Sequence, residues 1–401
     1  MLKRLKYLAI FALMIISVRA LSVGETSEPS EMLFSSPLHL RTLLAGNFGE
    51  TRPGHLHSGI DIKTNGKEGK AVFAIGDGYI SKVVEDDPLI GNALFVHHPE
   101  GHISIYCHLQ RFIGIAKGRE EKQGGGQVSS GWRGEKIPVA KGQLIAVSGN
   151  TGASEGPHLH LELRDARTND CLDPLDYVEL DYTDKQPPVL HAIKVYPQDT
   201  LSHFNGHTSP HIFTPRVPPH PHTPSPPKED WGNFAAWGKL AFSINAHDYM
   251  EGSYNKLGVR DIKCYIDDQL FFEHNIVRFS TADHVLADLT CDQEERRSSN
   301  AIFIYTWFPP THPTSPQPHT KKEIINIDHE KDYHLLYVLT DQQGNESRYT
   351  LTIKGQKEYK EAEEKENREK AEKQRHEPKK KTYNRKTYKR KHHHKRKNGK
   401  A

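Results

Sequence analysis

Residues 158–163 read His-Leu-His-Leu-Glu-Leu. Alternation of polar and apolar side chains has the period of a β-strand, whose successive side chains point to opposite faces. His158, His160 and Glu162 therefore share one face, and Leu159, Leu161 and Leu163 face a core on the other. Such a strand aims two imidazoles outward from a sheet. The tight stretch ahead of it, Gly149-Asn-Thr-Gly152-Ala-Ser-Glu-Gly156-Pro157, would deliver it to a groove.

The sequence around this strand has the same character. Ala71–Ile75, Tyr79–Val84, Ala93–His97, Ile103–His108 and Leu144–Val147 are short runs rich in Val, Ile, Tyr and Leu, separated by glycines. Long helical periodicity is absent. The expected fold class is all-β: an antiparallel sheet domain over residues 36–183, with a polar, Gly-rich insert at 117–138. Gln186-Pro187-Pro188 marks a boundary. Strand-like runs beyond it predict a second β-sandwich, Ig-like, over 186–355. Pro/His-rich inserts at 203–230 and 309–322 interrupt that sandwich. Residues 356–401 are a charged segment of helical composition followed by a basic tail with no apolar face to bury.

Average charge conceals this organisation. The 401 residues carry 54 Lys and Arg against 51 Asp and Glu, a formal net charge of +3. Residues 356–401 alone hold 19 basic and 8 acidic residues, a net +11, while residues 21–355 are acidic. Lys3, Arg4 and Lys6 precede an apolar run from Tyr7 to Val18, and Val18-Arg19-Ala20 has small residues at the ends of a cleavage triplet. That is the pattern of a cleavable secretory signal peptide over residues 1–20, and the run is shorter than a membrane span of about 20 residues. The expected location is periplasmic or secreted, with no transmembrane segment in the mature chain. Four Cys exclude a disulfide-dense scaffold. Cys264 and Cys291 fall in the second region, and whether they pair is left open.

Two segments carry metal chemistry: His57-Ser-Gly-Ile-Asp61 and the His158/His160 strand. Zinc accepts imidazole nitrogen and carboxylate oxygen, and catalytic zinc sites take three protein ligands and leave a fourth position open. His57, Asp61 and one of His158 and His160 meet that count. The other imidazole is then placed for general acid–base work. Ile105-Tyr-Cys-His108-Leu109 offers a further histidine on a strand.

With NFGETRPGHLHSGID (47–61), AVFAIGDGYISKVV (71–84), IYCHL (105–109), VAKGQLIAVSGNTG (139–152) and GPHLHLELRD (156–165), the chain resembles the LytM/lysostaphin-type zinc metallopeptidases that cut peptidoglycan peptides. The resemblance covers about residues 47–173. It implies Zn2+ held by His57, Asp61 and His160, with His108 and His158 acting at the substrate. It further implies a zinc metalloendopeptidase that hydrolyses amide bonds of peptidoglycan stem or cross-link peptides by way of zinc-activated water. The alternative is a non-catalytic cell-wall binding or amidase-regulating module, against which the intact set of five residues argues. Anionic wall or envelope polymers are the expected partners of the basic tail, rather than nucleic acid.

Arg52 is expected to make either a surface ion pair or a contact to substrate or to the metal-binding carboxylate, and Glu162 a structural hydrogen bond. Gly152-Ala-Ser154-Glu-Gly156 has the spacing of a nucleophile elbow, but Pro157 and a strand follow where a helix is required.

Overall fold

The alternating Leu159, Leu161 and Leu163 are each fully buried, so the strand His158–Asp165 is anchored by one apolar face. Burying a leucine stabilises by about 1.5–3 kcal/mol relative to exposing it, which fixes the register because a one-residue slip would exchange the faces. The computed structural model describes residues 32–114, 136–214, 228–282, 287–307 and 324–357. The segment expected to be a signal peptide, most of the insert expected at 117–138, and the tail beyond 357 lie outside the described residues.

His158–Asp165 runs antiparallel between Gly59–Lys63 and His102–Phe112, with His160 opposite Asp61 on one side and Cys107 on the other. The sheet continues through Gly91–His97 and Gly78–Asp87 to Ile137–Val139. Ile137 and Pro138, at the end of the expected insert, thus belong to a strand because they pair with Ile80 and Tyr79. Leu144–Ser148 pairs with Ala71–Phe73 and with His102–Phe112. One core beneath the sheet gathers Ile60, Ile62, Leu94, Tyr106, Leu109 and Leu161 with their neighbours. The β-dominated class expected from the sequence is the class observed.

Beyond residue 188 a second sheet runs through Val189–Pro197, Lys228–His247, Glu346–Gly355, Asp332–Thr340, Asp261–Ile266 and Gln269–Asn275. Its own core includes Ile193, Phe242, Leu335, Tyr337 and Leu351. The stretch 203–230, expected as an insert, contains the short strands His203–Phe204 and His211–Phe213, and Lys228 opens a long strand. Phe204 explains the difference: its ring packs against Phe213 and Phe234 at centroid distances of 4.8 and 5.1 Å, so aromatic burial overrides local Pro/His composition. Residues 215–227 of that stretch, and the insert expected at 309–322, lie outside the described residues.

Two short helices, Ala287–Thr290 and Gln293–Ser299, lack a sequence-level expectation. Asp292 caps the second, its Oδ1 accepting from the Glu294 and Glu295 N–H groups at 3.0 and 3.1 Å.

The second half of the chain also reaches into the first core. Met250, Leu257, Ile276, Phe279 and Ala287 join it. Arg278–Phe279 adds a strand beside Cys171–Leu172. Arg260 forks onto Asp176 with two bonds of 3.0 Å. All four cysteines are buried free thiols, so the pairing of Cys264 with Cys291 left open above is not formed. Among the described residues no helix is long and apolar enough to cross a membrane.

Candidate metal centre

Register alone brings Asp61 and His160 face to face, because they are directly paired across adjacent strands. His160 Nδ1 lies 2.9 Å from Asp61 Oδ1. His57, just before the same strand as Asp61, places Nε2 3.2 Å from that oxygen and 3.1 Å from His160 Nδ1. One ligand atom from each of His57, Asp61 and His160 lies within 4.8 Å of the others, and all three residues are buried.

Outer contacts hold each group. The His57 Nδ1–H donates to the Asn47 carbonyl at 2.7 Å, which commits that nitrogen and leaves Nε2 for the centre. The outer oxygen of Asp61, Oδ2, accepts from Arg52 Nη2 at 2.6 Å, and Arg52 Nε donates to Glu50 Oε1 at 3.0 Å. Of the roles considered for Arg52, the structure shows the contact to the metal-site carboxylate. Burial alone would raise the Asp61 carboxyl, but the surrounding His57, His158 and His160 overcome this and hold it well below the usual carboxylate range. Burial lowers the basicity of His160 despite Asp61.

Two nitrogens and one carboxylate oxygen, converging within a few ångströms, form a donor set that suits Zn2+ and leaves room for a fourth ligand. Three electron-pair donors also crowd one another unless a proton or cation lies among them. The donor set therefore fits zinc.

His158 and His108 stand beside the centre. Their ring centroids are 4.8 Å apart, and His108 is 5.9 Å from His160. The His158 Nδ1–H donates to the Gly156 carbonyl at 2.8 Å, with Ser154 Oγ 3.2 Å away, and Nε2 lies 3.4 Å from Asp61 Oδ1. Ser154 is therefore a neighbour of His158 in a loop that leads into a strand, not a nucleophile at an elbow. The His108 Nδ1–H donates to the Thr151 carbonyl at 2.8 Å. His108 has φ +60°, an uncommon value for a residue with a Cβ. The register between Gly91–His97 and His102–Phe112 shifts here, Cys107 and His108 together standing opposite Ala93, so a bulge aims the ring.

The two imidazoles are driven in opposite directions. Burial, aided by His160, lowers the His108 pKa to about 4, so its ring is neutral at neutral pH. Burial opposes protonation of His158 too, but Asp61 outweighs it and raises that pKa. Paired groups whose acidities are pushed apart are a hallmark of acid–base division of labour.

Glu162 lies on the same strand face but turns to structure, accepting from Arg164 Nε at 2.7 Å and from the Cys171 thiol at 3.3 Å. Sequence reasoning did not find the Asn47 and Thr151 carbonyls, because backbone acceptors leave no trace in residue type. Glu50 was a missed side chain, legible only as an acid near Arg52.

The five residues singled out in the sequence thus meet in one cleft. Residues 55–174 match the model of Peptidase family M23. The chain therefore carries an M23-type domain. An uncharacterized metalloprotease of Haemophilus influenzae is 33% identical over 114 residues, covering 28% of this chain and 19% of that protein. The peptidoglycan DD-endopeptidase ShyA of Vibrio cholerae is 31% identical over 107 residues, 27% of this chain and 20% of its own length. The DD-carboxypeptidase/endopeptidase Mpg of Neisseria meningitidis is 35% identical over 109 residues, with coverages of 27% and 20%. The match spans about a fifth of the length of these relatives.

Proposed function

We propose that residues 36–183 act as a zinc-dependent endopeptidase on amide bonds in peptidoglycan stem or cross-link peptides. The observation that carries this reading is the convergence of His57, Asp61 and His160 ligand atoms within 4.8 Å, with Asp61 and His160 paired across adjacent strands. The M23 match over residues 55–174 and relatives named as peptidoglycan DD-endopeptidases support the substrate class.

His57, Asp61 and His160 would hold the zinc, which supplies Lewis acidity toward water and the scissile carbonyl. The chain's own residues do the rest. Arg52 fixes the Asp61 carboxylate by its outer oxygen. His108, neutral at neutral pH, is suited to accept a proton from the attacking water. His158, its Nδ1–H held by the Gly156 carbonyl beside the centre, is suited to give one to the leaving amine. Pro53, Leu89, Ile90 and Gly156 line the cleft beside these groups and would flank a peptide laid across it.

Such an enzyme works outside the cytoplasm, in keeping with the proposed signal peptide over residues 1–20. The basic segment at 356–401 would hold it on anionic wall polymers. Purified protein incubated with bacterial sacculi should release muropeptides, and a chelator should stop the release until zinc is restored. Release by His160→Ala equal to that of the wild type would sink the proposal. Binding to sacculi without release would favour a non-catalytic wall-binding module.

A further inference from the structure

Away from the histidine centre, three aspartates from distant stretches of chain converge. Asp184 lies in the linker before Val189–Pro197. Asp248 follows the strand Lys228–His247. Asp341 opens the turn between Asp332–Thr340 and Glu346–Gly355. All three are buried, and one carboxylate oxygen of each lies within 4.8 Å of the others. Among the described residues, none of the three has an ion-pair partner.

The hydrogen bonds around the cluster are unevenly distributed. Asp184 Oδ1 accepts from the Gln186 N–H at 3.0 Å. Asp341 Oδ1 accepts from the Gln343 and Asn345 N–H groups, both at 2.8 Å. Its Oδ2 accepts from Asn345 Nδ2 at 2.7 Å, and the same amide donates to the Asp184 carbonyl at 3.1 Å. Asp248 Oδ1 is different: it is buried with no hydrogen-bond partner. A buried carboxylate oxygen without a partner is costly, and this carboxylate lies beside two others. Burial pushes all three upward; repulsion by Asp341 and Glu251 adds to it for Asp184, which rises to about 6, and repulsion by Asp341 and Asp184 adds to it for Asp248, while hydrogen bonds oppose it at Asp341.

We propose that Asp184, Asp248 and Asp341 form a binding site for a hard divalent cation, calcium by preference, that ties the linker to the strand ends of the second sheet. The donors are all oxygen, which suits calcium or magnesium and not a metal that seeks imidazole or thiolate. Calcium is favoured because the donors come from three separate stretches, including a turn, and calcium accepts irregular shells of six to eight oxygens, whereas magnesium demands a near-ideal octahedron. Backbone carbonyls and water would complete the shell. The site shares no residue with the histidine centre and is held by different donor chemistry.

The test uses the full chain, stripped with a chelator, and calcium chloride as the probe at neutral pH. Equilibrium dialysis should show one saturable calcium ion per chain. The unfolding midpoint should rise by about 5 °C once calcium exceeds its Kd about a hundredfold. Asp248→Asn should lower calcium affinity at least about tenfold, since it removes one charged ligand. Asp184→Asn gives a second variant should the first fail to fold. His160→Ala should bind calcium as the wild type does. No saturable binding up to about 10 mM calcium, beyond the range of weak extracellular sites, would overturn the proposal in favour of carboxyl groups neutralised by protons. So would binding lost in His160→Ala and kept in Asp248→Asn, which would put the ion at the histidines.

Discussion

Arg52 and Asp61 divide the labour of one carboxylate. Arg52 Nη2 takes the outer oxygen at 2.6 Å, while the inner oxygen sits 2.9 to 3.4 Å from the imidazoles of His160, His57 and His158. The guanidinium is itself held by Glu50 at 3.0 Å. An aspartate tethered on one side presents its other oxygen in a fixed direction, as partners behind metal ligands commonly arrange.

Arg52→Ala should therefore leave the fold intact and weaken zinc affinity by about 10- to 100-fold. Competition with a chromophoric chelator measures this directly. Arg52→Lys should recover only part of the loss, because a point charge does not reproduce the two-pronged contact to Asp61 and Glu50. Unchanged zinc affinity in Arg52→Ala would show that the ion pair is mere surface decoration.

Two glycines near the centre should respond differently to the same added methyl group. A Cβ on Gly59 would press into the backbone carbonyl of Leu161, while one on Gly46 would meet the side-chain ends of Arg52 and Asp61. Backbone cannot yield as cheaply as a side-chain tip. Gly59→Ala should cost about 1–3 kcal/mol of stability, read as a lowered urea midpoint. Gly46→Ala should change that midpoint little and reduce zinc affinity instead, by displacing the Arg52–Asp61 pair.

Much of this site could be read from the chain because its geometry follows from local period. The alternation at 158–163 sets which side chains share a face, and Leu159, Leu161 and Leu163 are buried as that alternation requires. What joins distant segments was not legible in this way. The positive φ of His108 depends on a bulge between two strands, and the His57–Asn47 contact uses a backbone carbonyl. Nor does hydrophobic pattern say which core a residue joins: Met250 and Phe279 follow the Pro187-Pro188 boundary yet pack with Leu161. Asp184, Asp248 and Asp341 look like ordinary turn and linker acids until the strands align them.

His108 sets strain against chemistry. Its left-handed backbone costs on the order of 1 kcal/mol, and the Thr151 hydrogen bond returns about the same amount. His108→Gly removes both, so its unfolding midpoint should correspond to a net change within about 1 kcal/mol of the wild type. If His108 moves the proton, release of muropeptides should fall about 10²- to 10⁴-fold. Metal analysis should still find one zinc per chain. Loss of zinc along with activity would instead place His108 among the groups that hold the metal.

Asp173 offers a test of burial by pH. Its side chain is buried and accepts the Leu175 N–H at 3.0 Å, capping the short helix Pro174–Asp176. Burial, with Asp176 nearby, raises its pKa to about 7, against the opposing effect of that hydrogen bond. A carboxyl raised in the folded state favours folding when protonated. That contribution is complete below the unfolded value of about 3.9 and is lost as pH rises through about 7. Asp173→Asn keeps the accepting oxygen and cannot ionise. Its urea midpoint should match the wild type near pH 4, exceed it modestly at pH 5, and exceed it most at pH 8. A gap of about three pKa units sets an upper limit of about 4 kcal/mol on that gain. Equal midpoints at pH 5 and pH 8 would mean that the carboxylate is stabilised by charge, and that burial does not govern it.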